Sequence, residues 1–302
     1  MKHPLAALAL LLLTACASPV PEVDFDYRLA IDEWRTKRLE RLTADDGWLT
    51  VVGLHWLVEG VNRVGGNRGM EVALIGPDVP GLAATLELTD AGTVNARAAV
   101  EGAVTINGEP LTEATLNADA QGDPDLLQIG RLTLYVIDRG GRLAVRVKDP
   151  ESEARNHFAG IESFPIDPSY RVSALLEPYE SPREVSIPTV TGTPTTMLAP
   201  GLLRFQFGDE HLALEPYVGS LEDETYFMIF RDRTSGDTTY GGGRFLSVEA
   251  VGEDGTTVID FNYAYNPPCA FTAFATCPLP TPQNSLPVPV PAGEKYSGAH
   301  HG

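Results

Sequence analysis

Basic residues are scarce in this chain. Of 302 side chains only 22 are Lys or Arg, against 41 Asp or Glu, and the formal charge is −19. Nucleic-acid binders need clustered cations to meet phosphates, so that class is excluded. An anionic membrane surface is disfavoured as an electrostatic partner on the same ground. The familiar catalytic signatures are missing as well. There is no Gly-x-Ser-x-Gly elbow and no Ser-x-x-Lys, and no His-Glu-x-x-His. Gly241-Gly242-Gly243 lacks the Lys-Ser or Lys-Thr that completes a phosphate loop. His55, His157 and His211 are isolated, and His300 and His301 lie at the C-terminus. Cysteine is rare, with Cys16, Cys269 and Cys277 the only three, and no histidine stands near the last two with zinc-like spacing. Neither a metal nor another cofactor is expected.

Long helical patterns are absent after Leu42, which excludes a helical bundle. The hydrophobic content of 43% and the aromatic content of 8% are enough for a real core, so wholesale disorder is excluded too. The 29 glycines and 24 prolines favour strands and turns. The length allows one large domain or two ordinary ones.

At the N-terminus, Lys2 precedes an apolar run over residues 5–13 that is too short to span a bilayer. It ends at Leu13-Thr14-Ala15-Cys16, which resembles a bacterial lipobox. The resemblance implies a signal peptide over residues 1–15, cleavage before Cys16 and a diacylglycerol and palmitate anchor on its thiol. Ala17 sorts such a protein to the outer membrane. The expectation is therefore a lipoprotein on the periplasmic side of that membrane, with residues 16–23 as a tether. In an oxidising compartment Cys269 and Cys277 then form the one remaining pair, and a disulfide between them is expected. Closing so short a loop stabilises by about 2–3 kcal/mol in the chain-entropy account.

A helix is expected over residues 26–42. Asp24 and Asp26 stand at its start and Arg35, Lys37, Arg38 and Arg41 toward its end, which suits the helix dipole. Tyr27, Ile31, Trp34 and Leu42 share a face that must pack on a sheet. Trp48 and Trp56 read as core anchors. Asn107-Gly108 after Val104-Thr105-Ile106 signals a hairpin, and Asp138-Arg139-Gly140-Gly141 turns the alternating run from Leu132 into another. An Asn-Gly turn, a Leu-Gln-Ile-Gly step and a final hairpin, in that order, faintly resemble a forkhead-associated β-sandwich, without the Ser and His of that family's phosphopeptide loops. A second β-rich half contains Leu203, Phe205 and Phe207 in alternation. The fold class expected is mostly β, with an N-terminal helix packed on two β-rich halves, sandwich or barrel-like, over residues 24–179 and 180–302.

The tail is the most distinctive part. It carries Asn266-Pro267-Pro268-Cys269-Ala270-Phe271-Thr272, then Thr276-Cys277-Pro278-Leu279-Pro280 and Ala292-Gly293-Glu294-Lys295-Tyr296. With Gly47-Trp48-Leu49, Arg146-Val147-Lys148-Asp149-Pro150, Phe164-Pro165 and Gly243-Arg244-Phe245-Leu246, it resembles the bacterial family known as domain of unknown function 1684. The resemblance runs over residues 34–296 and implies a shared fold but no activity.

Strand alternation puts Asp260 and Asn262 on one face and Phe261 and Tyr263 on the other. The expected polar cluster is Asp232, Arg244, Asp260, Asn262 and Asn266, with Tyr265 and Cys269 at its edge. Arg244 suits bidentate capture of a carboxylate or phosphate, or clamps two strands by pairing Asp232 or Asp260. Lys148, Asp149 and Arg155 form a second charged group, and Glu294 and Lys295 suit anchoring of the tail. Three functions stay open at this point. One is a binding protein for a small polar or anionic ligand near Arg244. Another is an enzyme, such as a hydrolase using Asp232, Asp260 or Cys269 beside Arg244. The third is an assembly partner in the envelope.

Overall fold

The computed structural model describes residues 23–296 and 298, so Cys16 and the leader, like His300 and His301, lie outside the described residues. Helix α1 (Phe25–Thr43) begins where the Asp24 carboxylate accepts the Tyr27 N–H at 3.0 Å, with Asp26 in the first turn and Arg41 in the last. Only Ile31 and Leu42 are buried on it, so polar contacts hold it as much as apolar ones. Arg38 bonds the Glu294 carboxylate at 3.1 Å and the Asn266 carbonyl at 2.9 Å, and Trp34 meets the Tyr263 ring edge-on at 5.3 Å. The helix therefore rests on the C-terminal tail.

The first half is two sheets. Strands β1 (Val51–Trp56), β2 (Gly60–Gly65), β3 (Val72–Ala73), β4 (Ala84–Leu88), β5 (Val94–Ala98), β6 (Val104–Ile106), β7 (Glu109–Pro110), β8 (Glu113–Leu116), β9 (Leu127–Ile129), β10 (Leu132–Arg139) and β11 (Arg142–Lys148) follow in order. One sheet runs β3-β2-β4-β5-β8 and the other β1-β11-β10-β9-β6-β7. Val64, Leu86 and Ala96 of the first pack with Ile129, Leu134, Val136 and Val145 of the second. Asn107 and Gly108 both hold positive φ, 49° and 89°, which gives the β6–β7 turn the twist a tight hairpin needs.

Alternation along β10 and β11 decides where the site lies. Leu134, Val136, Val145 and Val147 fill the sandwich, so Tyr135 and Arg146, paired in register, share the opposite face. That face meets the second half.

The second half contains β12 (Arg171–Ile187), β13 (Thr195–Phe207), β14 (Glu210–Leu214), β15 (Thr225–Phe230), β16 (Arg244–Glu249) and β17 (Thr256–Asp260). A four-stranded sheet, β14-β13-β12-β17, faces the β15-β16 hairpin across Leu203, Phe205, Met228, Phe230, Leu246 and Ile259. The fold is thus mostly β and sandwich-like, and no sheet closes into a barrel among the described residues. The expected junction at 179/180 falls inside β12, where the ladder is interrupted between Pro178 and Arg183; a proline lacks the N–H that a continuous ladder uses.

Past β17 the tail crosses both halves in short turns at Phe261–Tyr263, Pro268–Ala270 and Pro282–Asn284. Thr272 ties it to β1 by donating to the Val51 carbonyl at 2.9 Å. The alternation expected over residues 260–263 does not occur. Asp260 ends its strand and its carboxylate caps the next turn by accepting the Asn262 N–H at 3.0 Å, so Phe261 and Asn262 are both buried.

Candidate functional site

The residues expected to form one polar cluster occupy several places. Arg244 and Asp232 do come together, at 2.8 Å and with both side chains fully buried. The guanidinium also donates to the Val290 carbonyl at 2.8 Å and to the Ala292 carbonyl. Asp232 accepts the Thr234 N–H, the Thr234 hydroxyl and the Val290 N–H on its other oxygen. Burial pushes the Arg244 guanidinium below its ordinary range while Asp232 pulls it back. Every described carboxylate or carbonyl partner of Arg244 is internal, and it lines none of the surface clefts described below. It clamps β16 to the tail.

Asp260 and Asn262 belong to a different network. Asp260 accepts the Tyr27 hydroxyl at 2.7 Å and lies 3.9 Å from Arg171, while Asn262 bonds Tyr27, Asp260 and both backbone groups of Asp167. Asn266 sits with the end of the tail, its N–H on Glu294 and its amide on the Lys295 carbonyl. Tyr265 lies under Arg38, 5.0 Å from the ring, and burial pushes its hydroxyl up. Cys269 packs with Cys277 in an apolar cluster. No hydrogen bond or ion pair among the described residues joins Asp232 to Asp260, or either to Cys269, so the hydrolase trio is not gathered into one centre. Nor does any group of three His, Cys, Asp or Glu among the described residues sit close enough to hold a metal.

Among the described residues, three clefts of about 400 Å³ or more bear on the site. One of about 700 Å³ is lined by Trp34, Arg171, Ser247, Asp260 and Tyr265, and its aspartate and arginine already face each other. Another of about 730 Å³ is lined by His55, Arg131, Asp149 and Phe274; Arg131 grips Asp149 bidentately at 2.8 and 2.7 Å. The third, of about 400 Å³, lies where the β10–β11 turn, the link from β12 to β13 and the tail converge. Trp48, Arg139, Thr193, Met197, Thr276 and Cys277 are among its walls. Its distinguishing feature is the charge behind it.

Arg146 is 3% exposed and has no carboxylate partner among the described residues. Its Nη2 reaches the Thr276 hydroxyl only at 3.5 Å, its Nη1 reaches the Tyr135 hydroxyl at 3.4 Å, and its Nε bonds nothing. The guanidinium lies over the Trp48 ring at 4.9 Å, a favourable contact that does not cancel a charge. At the mouth, Arg139 donates to Thr276 at 3.0 Å and is paired with Asp119. Sequence reasoning read Trp48 as a core anchor and gave Arg146 no role of its own.

Comparison with known proteins bears on the same region. Residues 156–295 match the family described as "Protein of unknown function (DUF1684)". The chain belongs to this family. An uncharacterized protein of Haloarcula marismortui, solved by solution NMR, is 33% identical over 49% of this chain and 81% of its own, with a TM-score of 0.41. The FhaA FHA domain crystallised with the intracellular domain of Rv3910 is 15% identical, covering 32% of this chain and 97% of that one, at a TM-score of 0.22. Among curated proteins no match was found. The DUF1684 match takes in Thr276 and Cys277, whereas Trp48, Arg139 and Arg146 precede it. The cavity is thus built by the family segment on one side and the first half on the other.

Within that segment, Cys269 and Cys277 are two free thiols and not the disulfide expected. The Cys269 N–H donates to the Cys277 sulfur at 3.1 Å. Hydrogen bonding from Cys277, helped by the Arg146 charge, lowers the Cys269 thiol below its usual range, while the same bond and burial push Cys277 up. Tyr240, whose hydroxyl donates to the Cys269 carbonyl at 3.2 Å, is pushed up to about 12 by burial and by the charge of the pair.

Proposed function

We propose that this chain is a binding protein for a small organic anion, a carboxylate or phosphate with a flat apolar body, and that the ligand occupies the cavity in front of Arg146. One observation carries the reading: a buried guanidinium without a carboxylate partner among the described residues that touches Trp48 and Thr276, two residues of the cavity wall. Taking such a charge out of water costs several kcal/mol, on the order of the ion-desolvation penalty, unless a counter-charge answers it. Trp48, Phe245 and Met197 supply the apolar wall, and Thr276 and the threonines between β12 and β13 supply hydroxyls. Because the whole chain is acidic, with a charge of −19, capture depends on this local charge and not on long-range steering.

Calorimetry with phenyl phosphate and 4-hydroxybenzoate, and with inorganic phosphate as the non-aromatic probe, tests the site. Binding is expected to weaken at least about tenfold in Arg146→Gln, the loss of one charge-assisted pair. Trp48→Leu, which leaves the charge in place, should weaken only the aromatic probes. Binding that persists unchanged in Arg146→Gln would withdraw the proposal.

The lipobox-like Leu13-Thr14-Ala15-Cys16 supports placing this binding protein in the bacterial envelope, tethered through a lipid on Cys16. Metabolic labelling with an alkyne palmitate should mark the protein and fail in Cys16→Ser; equal labelling of both would remove the anchor.

A further inference from the structure

The two late cysteines have a geometry that a buried structural pair does not require. Cys269 sits in the turn Pro268–Ala270 and Cys277 eight residues later, and the Cys269 N–H points at the Cys277 sulfur at 3.1 Å. Their backbone is pinned from both sides. Tyr240 holds the Cys269 carbonyl at 3.2 Å, the Cys277 carbonyl accepts the Val190 N–H at 3.0 Å, and Leu279 donates to Pro188 at 2.7 Å. Both sulfurs are buried, yet Cys277 forms part of the wall of the 400 Å³ cavity, so one end of the pair has a route to solvent-borne reagents. Arg146 stands beside the pair as a fixed positive charge with no carboxylate of its own among the described residues. A thiolate needs such a neighbour, and only the thiolate is nucleophilic.

We propose that Cys269 and Cys277 are a redox-active dithiol that exchanges with a small disulfide bearing carboxylates, admitted through the cavity in front of Arg146. This rests on the reading of that cavity as anion-accepting. The reactive form of the pair has one cysteine as thiolate and the other as thiol. The thiolate attacks one sulfur of the incoming disulfide, forming a mixed disulfide and expelling the first small thiolate. That leaving thiolate takes the proton from the remaining cysteine. The cysteine thiolate so formed attacks the mixed disulfide at the protein sulfur, closes the Cys269–Cys277 bond and expels the second small thiolate, which takes a proton from water. Two electrons pass from the dithiol to the reagent, and two small thiols leave. Run backwards with the same small thiols, the sequence restores the dithiol. Arg146 and, at the mouth, Arg139 favour a reagent with carboxylates.

The test uses the full chain carrying Cys16→Ser, so that only the two cysteines react, with glutathione disulfide as the probe and intact-mass measurement after acid quenching. The expected product has lost two hydrogens and retains no glutathione. In Cys269→Ser and Cys277→Ser the surviving thiol should stop at a glutathione adduct. Cystamine, a cationic disulfide, is expected to close the pair at least about tenfold more slowly, because the guanidinium repels it. A native chain that stays reduced, while the urea-unfolded chain closes under the same reagent, would overturn the dithiol. A native chain that keeps one stable glutathione would do the same. Equal rates with both reagents would instead withdraw the acidic substrate class together with the anion reading of the cavity, so the two failures are distinguishable.

Discussion

Removing the Asp232 carboxylate isolates the role of Arg244. In Asp232→Ala the guanidinium stays where it is, fully buried, with two carbonyls and no directly bonded counter-charge, only the field of Glu294. Breaking a buried pair by deleting one partner costs about 3–5 kcal/mol, because the remaining charge is neither solvated nor matched. Asp232 also accepts two bonds from Thr234 and one from the Val290 N–H, so the upper end of that range is expected. Arg97→Ala provides the contrast: its pair with Glu113 is 67% and 56% exposed, and such pairs contribute less than about 1 kcal/mol. Urea unfolding followed by tryptophan fluorescence measures both, with the slope checked for constancy. Replacing the pair by Asp232→Leu with Arg244→Met should recover most of the loss, since an apolar pair of similar volume carries no desolvation penalty. A cost for Asp232→Ala no greater than that of Arg97→Ala would refute the reasoning. It would mean that water reaches Arg244, and the anion site would return to where the sequence first placed it.

Burial raises the Glu294 carboxyl above its ordinary value of 4.5, with Arg38 and the Asn266 N–H pulling it back. A folded-state value above the unfolded one gives stability that is fully present below the unfolded value and lost as pH rises through the folded value. Glu294→Gln should therefore show a smaller loss between pH 4 and pH 8 than the parent in urea unfolding; parallel losses would refute this. Asn284 is fully buried and bonds the Glu215 N–H, the Glu215 carbonyl and the Ile229 carbonyl. Asn284→Ala should cost about 2–4 kcal/mol by leaving these groups unmet, and an unchanged urea midpoint would contradict it. Gly293 holds φ +75°, and an added Cβ would stand 2.3 Å from the Ala264 carbonyl, whereas Gly108 at φ +89° opens on empty space. Gly293→Ala should lower the thermal midpoint well beyond Gly108→Ala, whose cost is about 1 kcal/mol of backbone strain; equal shifts would argue against the tail's docking.

Local chemistry made much of the fold legible. The acidic helix start at Asp24 and Asp26, the Asn107-Gly108 turn and the alternation along β10 each act within a few residues, and each appears where the sequence put it. The proposed cluster failed for a reason that is also local. Asp260 uses its carboxylate to cap the turn that follows, so period-two alternation stops at that residue and the side chains of 260–263 no longer share faces. Arg146 went unnoticed for the opposite reason. Alternation along β11 places it on the face away from the sandwich core, where charged residues ordinarily meet water. It is buried because Thr276 and Cys277 arrive from 130 residues further along the chain, and no spacing within β11 announces that cover. Its place in a motif of the family resemblance, Arg146-Val147-Lys148-Asp149-Pro150, was the one available sign.

Among the described residues two arginines are buried, Arg146 and Arg244, and the difference between them is why the proposed site is at Arg146. The charge of Arg244 is answered by an aspartate that the fold supplies permanently, so the pair is closed to anything else. Arg146 has no permanent answer. The Cys269 and Cys277 thiols feel its charge, and they can carry a negative charge only while they are reduced. On the two proposals above, a dithiol holding one thiolate competes with an external anion for the guanidinium, and a closed disulfide leaves the guanidinium to that anion. Oxidation should then tighten anion binding, and binding of the anion should favour the disulfide by the same factor, as linkage requires. A buried, permanently paired arginine such as Arg244 would give no such coupling.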